Sequence, residues 1–141
     1  MPKSVDPQLI AFLVCEKVLH DVRTNNKSFI GVFNNVMTPA VPFAHPEFYV
    51  AIVLTGCHGE QKISLELLYD DNDGQKSLVK LEGMLKSQDP LEVVELIFDL
   101  RNLNFEKFGK YTFRLISGDT NVIAYRYLRV TKMNLMKGGI P

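Results

Sequence analysis

The side chains of this chain that most readily bind a transition metal are His20, His45, Cys57 and His58. None of them has the C-x2-C or H-x3–5-H spacing that lets one turn present two ligands together. Cys57 and His58 are neighbours, and neighbouring side chains on an extended chain point to opposite faces. The spacing therefore predicts no metal site.

Nucleophilic catalysis has equally little support in the sequence. A thiolate needs an imidazole across from it, and sequence neighbours such as Cys57 and His58 seldom reach that arrangement. The chain has no G-x-S-x-G elbow, no glycine-rich phosphate loop and no H-E-x-x-H helix. His45 stands next to Pro46, where we expect a loop residue that bonds backbone. We therefore predict a protein that is not an enzyme and has no cofactor.

Residues 70–74 (DDNDG) are the best calcium candidate. Clustered carboxylates followed by a glycine can wrap a hard cation, but the bidentate glutamate that ends a twelve-residue calcium loop is missing. Asp and Asn before Gly are also what a β-hairpin turn requires. We favour the turn and keep calcium as the alternative.

The remaining candidate is a surface, formed by Tyr125, Tyr127 and Arg129. Alternate residues of a regular strand face the same way, so these three side chains would share one face. Tyrosine and arginine are enriched at binding hot spots. The alternative is an ordinary sheet face on which arginine stems cover aromatic rings. These three residues are the predicted partner-binding site.

Composition is that of a soluble globular domain, with 46% hydrophobic and 23% charged residues in a chain of 141. Net charge is zero, so no overall field attracts nucleic acid or an anionic membrane. No apolar run is long enough to span a bilayer, and the N-terminus has no secretory pattern. Cys15 and Cys57 lie in apolar segments, where reduced cysteine acts as a small hydrophobe. We expect free thiols and a cytoplasmic protein.

Charge is unevenly distributed along the chain. Residues 1–100 carry eight basic and fourteen acidic side chains, or −6, and residues 101–141 carry eight and two, or +6. One interpretation is that the last strands lie beside acidic ones and the charges neutralise inside one domain. The other is head-to-tail association between chains. We favour the first, because net charge informs association rather than fold.

Eight segments have the apolar or alternating pattern of β-strands. They are residues 9–19, 28–37, 47–55, 61–69, 77–85, 93–101, 110–117 and 122–131. Gly31 inside the second segment indicates a bulge or a close backbone approach. Residues 38–46 hold three prolines and are predicted to be a loop that crosses between sheets without joining a ladder.

Residues 89–101 are the least certain segment, because Asp89, Pro90 and Glu92 have the form of a helix start. The alternation from Val94 onward favours a strand, and a helix is the alternative. Short strands with regular turn signals predict an all-β fold, a single antiparallel sandwich over residues 9–131. Residues 1–8 would be a lead-in and residues 132–141 a tail.

Gly109 and Tyr111 predict a corner where the chain enters a late strand. In sandwich folds such a tyrosine returns its hydroxyl to backbone a few residues upstream. Gly109 would allow a close approach that a side chain blocks.

The chain resembles a known family of small bacterial proteins that is catalogued as a domain of unknown function. The resemblance rests on residues 14–18 (VCEKV), residues 28–33 (SFIGVF), Pro42 with His45, residues 103–105 (LNF) and residues 108–111 (FGKY). It implies an immunoglobulin-like sandwich over nearly the whole chain. It implies no activity, because this fold hosts many unrelated functions.

The sequence thus favours a non-enzymatic protein-binding or structural module. Its partner would be another protein or a second copy, most simply in a two-fold homodimer. The alternative is a module that binds carbohydrate or calcium. The absence of tryptophan weakens the carbohydrate version, because sugars stack on large aromatic rings.

Overall fold

The computed structural model describes residues 7–134, which form nine β-strands and no helix. The strands are β1 (Gln8–His20), β2 (Lys27–Val32), β3 (Asn35–Thr38), β4 (Phe43–Thr55), β5 (Gly59–Asp71), β6 (Gly74–Ser87), β7 (Val94–Phe105), β8 (Gly109–Ser117) and β9 (Asn121–Lys132). Most of the predicted lead-in and tail lies outside the described residues. Within residues 7–134 there is no helix long and apolar enough to cross a membrane.

The strands form a four-stranded sheet, in the order β2-β1-β4-β7, and a five-stranded sheet, in the order β3-β9-β8-β5-β6. The core lies between them and is built from alternate residues of the central strands, such as Phe48 and Ile52 of β4 and Leu65 and Phe113 of the facing sheet. Full burial of one such side chain contributes about 1.5–3 kcal/mol. The all-β sandwich predicted from the sequence is confirmed.

The second predicted strand, residues 28–37, is two strands in the structure. The chain leaves the first sheet at Phe33, whose N–H donates to Val14 O at 2.9 Å, and reaches the second at Asn34, whose carbonyl accepts from Arg129 N at 3.0 Å. β3 then pairs with β9 in parallel, whereas the other strand pairs are antiparallel. The crossing raises the strand count from the predicted eight to nine.

The prediction that residues 38–46 form a loop is wrong in its second half. β4 begins at Phe43 and pairs with the end of β7, from Phe43 with Phe105 to His45 with Leu103. Pro46 lies inside this strand, at a position where the register has no pair. The opposite residue, Asn102, has a φ of +54°, and the ladder between β4 and β7 has a gap at this level. A proline is tolerated there because no ladder hydrogen bond is required of it.

The helix-start signature at residue 89 produces one turn and no helix. The Asp89 carboxylate accepts from Leu91 N at 2.9 Å, and the Asp89 carbonyl accepts from Glu92 N at 2.9 Å. β7 begins at Val94, so the predicted strand is confirmed and the helix alternative is wrong.

The corner at Tyr111 is present as predicted. The Tyr111 hydroxyl donates to Lys107 O at 2.6 Å, and the ring is buried. Gly109 has a φ of +133°, and a Cβ there would lie 3.4 Å from the Tyr69 hydroxyl. Only glycine adopts this backbone conformation without strain, so the residue fixes how the chain enters β8.

The β1–β2 hairpin folds back over the outer face of the four-stranded sheet. Lys27 Nζ lies 2.5 Å from Glu95 Oε1 on β7, although β1 and β4 separate the two strands in the sheet order. In a flat sheet the registers would instead place Lys27 beside Asn104, roughly 30 Å from Glu95 along β7. Cys15 and Ala51 are also buried (0% and 1% exposed), although they are not part of the core cluster between the sheets.

Candidate functional site

Tyr125, Tyr127 and Arg129 lie on the outer face of the five-stranded sheet. Tyr125 and Tyr127 are 58% and 56% exposed, and Arg129 is exposed as well. Leu128 and Val130, which alternate with them, are buried in the core. The structure therefore brings the three predicted residues together on one face.

The neighbouring strand β8 adds two cations to this face. Lys110 is paired with Arg129 across the sheet, and its ammonium lies 4.3 Å from the centroid of the Tyr127 ring. This is a cation–π distance, and it holds the ring against the sheet. Arg114 lies opposite Tyr125 and forms an ion pair with Glu66 of β5.

Ion pairs inside the domain neutralise much of the charge asymmetry seen in the sequence. Lys107 and Lys110 lie 3.6 Å and 3.5 Å from carboxylate oxygens of the β5–β6 hairpin, and Arg101 pairs with Glu47 and Asp99. These contacts support the first of the two interpretations. Within residues 7–134, the basic residues of the C-terminal segment that form no ion pair are all on β9, and they are Arg126, Arg129 and Lys132.

β9 is also partly an edge strand. β3 pairs only with its last four residues, Arg129 to Lys132. Along residues 122–128, the part of the chain that the structure describes places no strand on the side away from β8. The edge next to Tyr125 and Tyr127 is therefore open.

A shallow pocket of about 490 Å³ lies where β3 begins beside this edge. It is lined by Asn34, Asn35, Arg126, Tyr127, Arg129 and Thr131. The Nε of Arg126 is buried and has no hydrogen-bond partner among the described residues. A buried guanidinium nitrogen without a partner is an unsatisfied donor, and an acceptor reaches it only if the Arg126 side chain shifts.

The calcium candidate, residues 70–74, forms the β5–β6 hairpin turn, as predicted. Two of its three carboxylates already have partners within the chain: Asp70 accepts from Gln75, and Asp71 accepts from the N–H of Asn72. The bond from Asn72, with Lys107 nearby, holds the pKa of Asp71 below its ordinary value. Among residues 7–134, no three His, Cys, Asp or Glu side chains are grouped to hold a metal.

His45 lies on β4 and packs among aromatic rings, so the prediction of a loop residue that bonds backbone is wrong. Its ring stacks on Phe33 at 5.8 Å and meets Phe48 edge-on at 5.0 Å. Its Nδ1 is buried without a hydrogen-bond partner. Burial lowers the pKa of His45, against a smaller opposite effect of Glu16. The imidazole is therefore held in its neutral form and packs as an aromatic side chain.

Both cysteines are free and buried. Burial raises the pKa of Cys15 and of Cys57, which disfavours the nucleophilic thiolate. The environments of the two thiols suit packing better than catalysis.

A family model described as a family of unknown function (DUF6941) matches residues 10–131. The chain belongs to this family. No curated protein matches it. The resemblance noted from the sequence is confirmed at the level of a family of unknown function, and DUF6941 supplies no activity to transfer.

Sequence reasoning missed Lys110, Arg126 and the open edge as parts of this site. Lys110 could have been found only by allowing for a bulge as well: the register next to the predicted turn at residues 118–121 would put it opposite Leu128, and the shift between Leu115 and Ile116 moves it opposite Arg129. The edge could not, because the parallel pairing of β3 leaves no local signal in the sequence.

Proposed function

We propose that this DUF6941 protein is a non-enzymatic protein-binding module, and that Tyr125, Tyr127 and Arg129 form its binding surface. The observation that carries the proposal is the exposure of both tyrosines on one face, beside an arginine without an ion pair. Tyrosine offers a large contact area with little conformational entropy to lose, and arginine adds directed hydrogen bonds. A cytoplasmic location, a bacterial source and an immunoglobulin-like topology belong to the same proposal.

A second copy of the chain is the first partner to test. The β9 surface is basic, and exposed carboxylates lie elsewhere on the chain, for instance Glu60 and Asp119. A two-fold dimer would use such a contact twice, which is the commonest symmetry among homo-oligomers. If charge contributes, association weakens with salt, because exposed charges are screened beyond about 8 Å at physiological ionic strength.

The experiment is light scattering at low and high salt on the parent and on Tyr127→Ala with Arg129→Glu. Val22→Ala with Arg23→Glu is the matched control, because it makes the same kind of change on the exposed β1–β2 turn. We expect a parent dimer that the β9 variant dissociates and the control does not. A parent that is monomeric at high micromolar concentration would refute the dimer.

The wider proposal has its own test, a comparison of proteins retained from a lysate of the source cell. The parent and the β9 variant are immobilised in parallel, and mass spectrometry identifies what each retains. We expect specific proteins on the parent that are absent from the variant. If both retain the same set and neither associates with itself, the β9 surface is not a protein-binding site.

A further inference from the structure

We propose that the open edge of β9, residues 122–128, takes up an extended acidic peptide segment as an added β-strand. The inference rests on the proposed function and names the partner for the same surface. It depends on three features that come together on β9: free backbone groups, unpaired arginines and exposed tyrosines. Addition of a strand to a sheet edge gives affinity through main-chain hydrogen bonds and specificity through alternate side chains.

The backbone of Tyr125 and Tyr127 faces the open edge. In a strand, the N–H and C=O of one residue point to the same side, and this side alternates along the chain. Arg129 donates its N–H to Asn34 on the β3 side, at 3.0 Å. Two and four residues earlier, Tyr127 and Tyr125 therefore present their N–H and C=O groups on that side. An added strand would continue the line of β3 and satisfy these groups.

The basic side chains near the open edge favour an acidic peptide as the added strand. β3, β8 and β9 contain no aspartate or glutamate, whereas β8 and β9 contain Lys110, Arg114, Arg126, Arg129 and Lys132. A carboxylate in the added strand would accept charge-assisted hydrogen bonds from Arg126, whose buried Nε has no partner, or from Arg129. Edge-to-edge pairing of two β9 strands would instead bring these arginines towards one another.

Charged residues on an edge strand often serve only to prevent pairing, and β6 shows that arrangement in this protein. Its Lys76 and Lys86 lie 3.5 Å and 3.1 Å from Asp71 and Glu60 of the neighbouring strand. A register shift also disturbs β6 near its middle. The arginines of β9 have no such carboxylate beside them, so their charge is available to a partner.

The test uses the full chain and a labelled short peptide that alternates glutamate with valine, with binding followed by fluorescence polarisation. Three comparison probes are a peptide with lysine in place of glutamate, the acidic peptide with alternate backbone amides methylated, and a short oligothymidine. The key variants are Tyr125→Pro and Tyr125→Ala. Both remove the ring, but only proline removes the N–H that faces the edge, and that N–H takes no part in the ladder with β8.

We expect the acidic peptide to bind and the lysine and methylated peptides to bind at least about tenfold more weakly. Tyr125→Pro should weaken binding at least about tenfold more than Tyr125→Ala, with thermal melts to show that both variants are folded. Arg126→Gln with Arg129→Gln should weaken it by a similar factor. Hydrogen exchange of the Tyr125 and Tyr127 amides should be fast in the free protein and slow in the complex.

Several results would overturn the inference. They are no binding at about 1 mM peptide, equal binding of the lysine peptide, and equal affinities of the proline and alanine variants. Binding of oligothymidine without binding of the acidic peptide would assign the surface to nucleic acid instead. Protection of the two tyrosine amides by dimerisation alone would show that a second copy occupies the edge. In that case the proposed function remains and only strand addition is refuted. The same holds if the peptide tests fail while Tyr127→Ala with Arg129→Glu abolishes protein association.

Discussion

Tyr111→Phe removes the hydroxyl of the corner tyrosine and keeps its ring. The ring stays buried against Phe105 and Tyr69, with centroids 5.1 Å and 4.8 Å away, so packing is unchanged. The variant loses the bond donated to Lys107 O at 2.6 Å and the weaker one accepted from Lys107 N at 3.3 Å. Because Lys107 is exposed, water can reach its backbone groups. We therefore expect a loss of about 0.5–1.5 kcal/mol, the net value of one hydrogen bond.

Urea unfolding measures this loss. With a slope of about 2 kcal/mol per molar urea, a cost of about 1 kcal/mol lowers the midpoint by about 0.5 M at an unchanged slope. Tyr69→Phe is the matched control, because its hydroxyl donates to Phe108 O at the longer distance of 3.2 Å. It should cost less than about 0.5 kcal/mol. Equal midpoints for Tyr111→Phe and the parent would show that the corner bond does not stabilise the fold.

Gly109→Val should lower the free energy of unfolding by about 1–3 kcal/mol through backbone strain. Gly118→Val should lower it less, because the space around Gly118 is open at a φ of +70°. The urea midpoints of the two variants measure the difference. Thiol titration should count two thiols after unfolding without reductant, Cys15 and Cys57, and almost none before it. Burial lowers the pKa of His45 below its ordinary 6.5. The His45 imidazole is therefore protonated at a higher pH in the unfolded chain than in the folded one. Stability should therefore fall as pH drops below about 6.5, and His45→Phe should lessen the fall, in melts across pH 5–8. Melts with excess calcium and with chelator should coincide; a rise of several degrees with calcium would revive the ligand alternative.

Local patterns were enough to predict most strands and the corner. The alternation of apolar residues from Val94 outweighed the helix-start signature at Asp89, because a cap fixes one turn and only an amphipathic face with a 3.6-residue period extends it. Gly31 was predicted to mark a bulge or a close approach. Its φ is +70°, and a Cβ there would lie 2.9 Å from Cδ of the Glu16 side chain, so the close neighbour is a side chain and not the backbone that was predicted.

Strand pairing between residues far apart in the sequence could not be predicted. The sequence around Pro46 has the composition of a loop, but the proline lies in a strand at a position that forms no pair with Asn102 of the opposite strand. The shared face of Tyr125, Tyr127 and Arg129 followed from a period of two. The open edge beside them depends on where β3 begins, at Asn35 opposite Arg129, and nothing in β9 itself encodes that.

The parallel pair of β3 and β9 also sets an order of events during synthesis. Asn35 pairs with Arg129, 94 positions later in the chain. At about 5–20 residues per second, a ribosome needs roughly 5–20 s to make the intervening stretch. β3 has no sheet to join during that interval, and the five-stranded sheet is completed only when its last strand emerges. Nascent chains of this family member thus carry β3 without its partner strand for seconds.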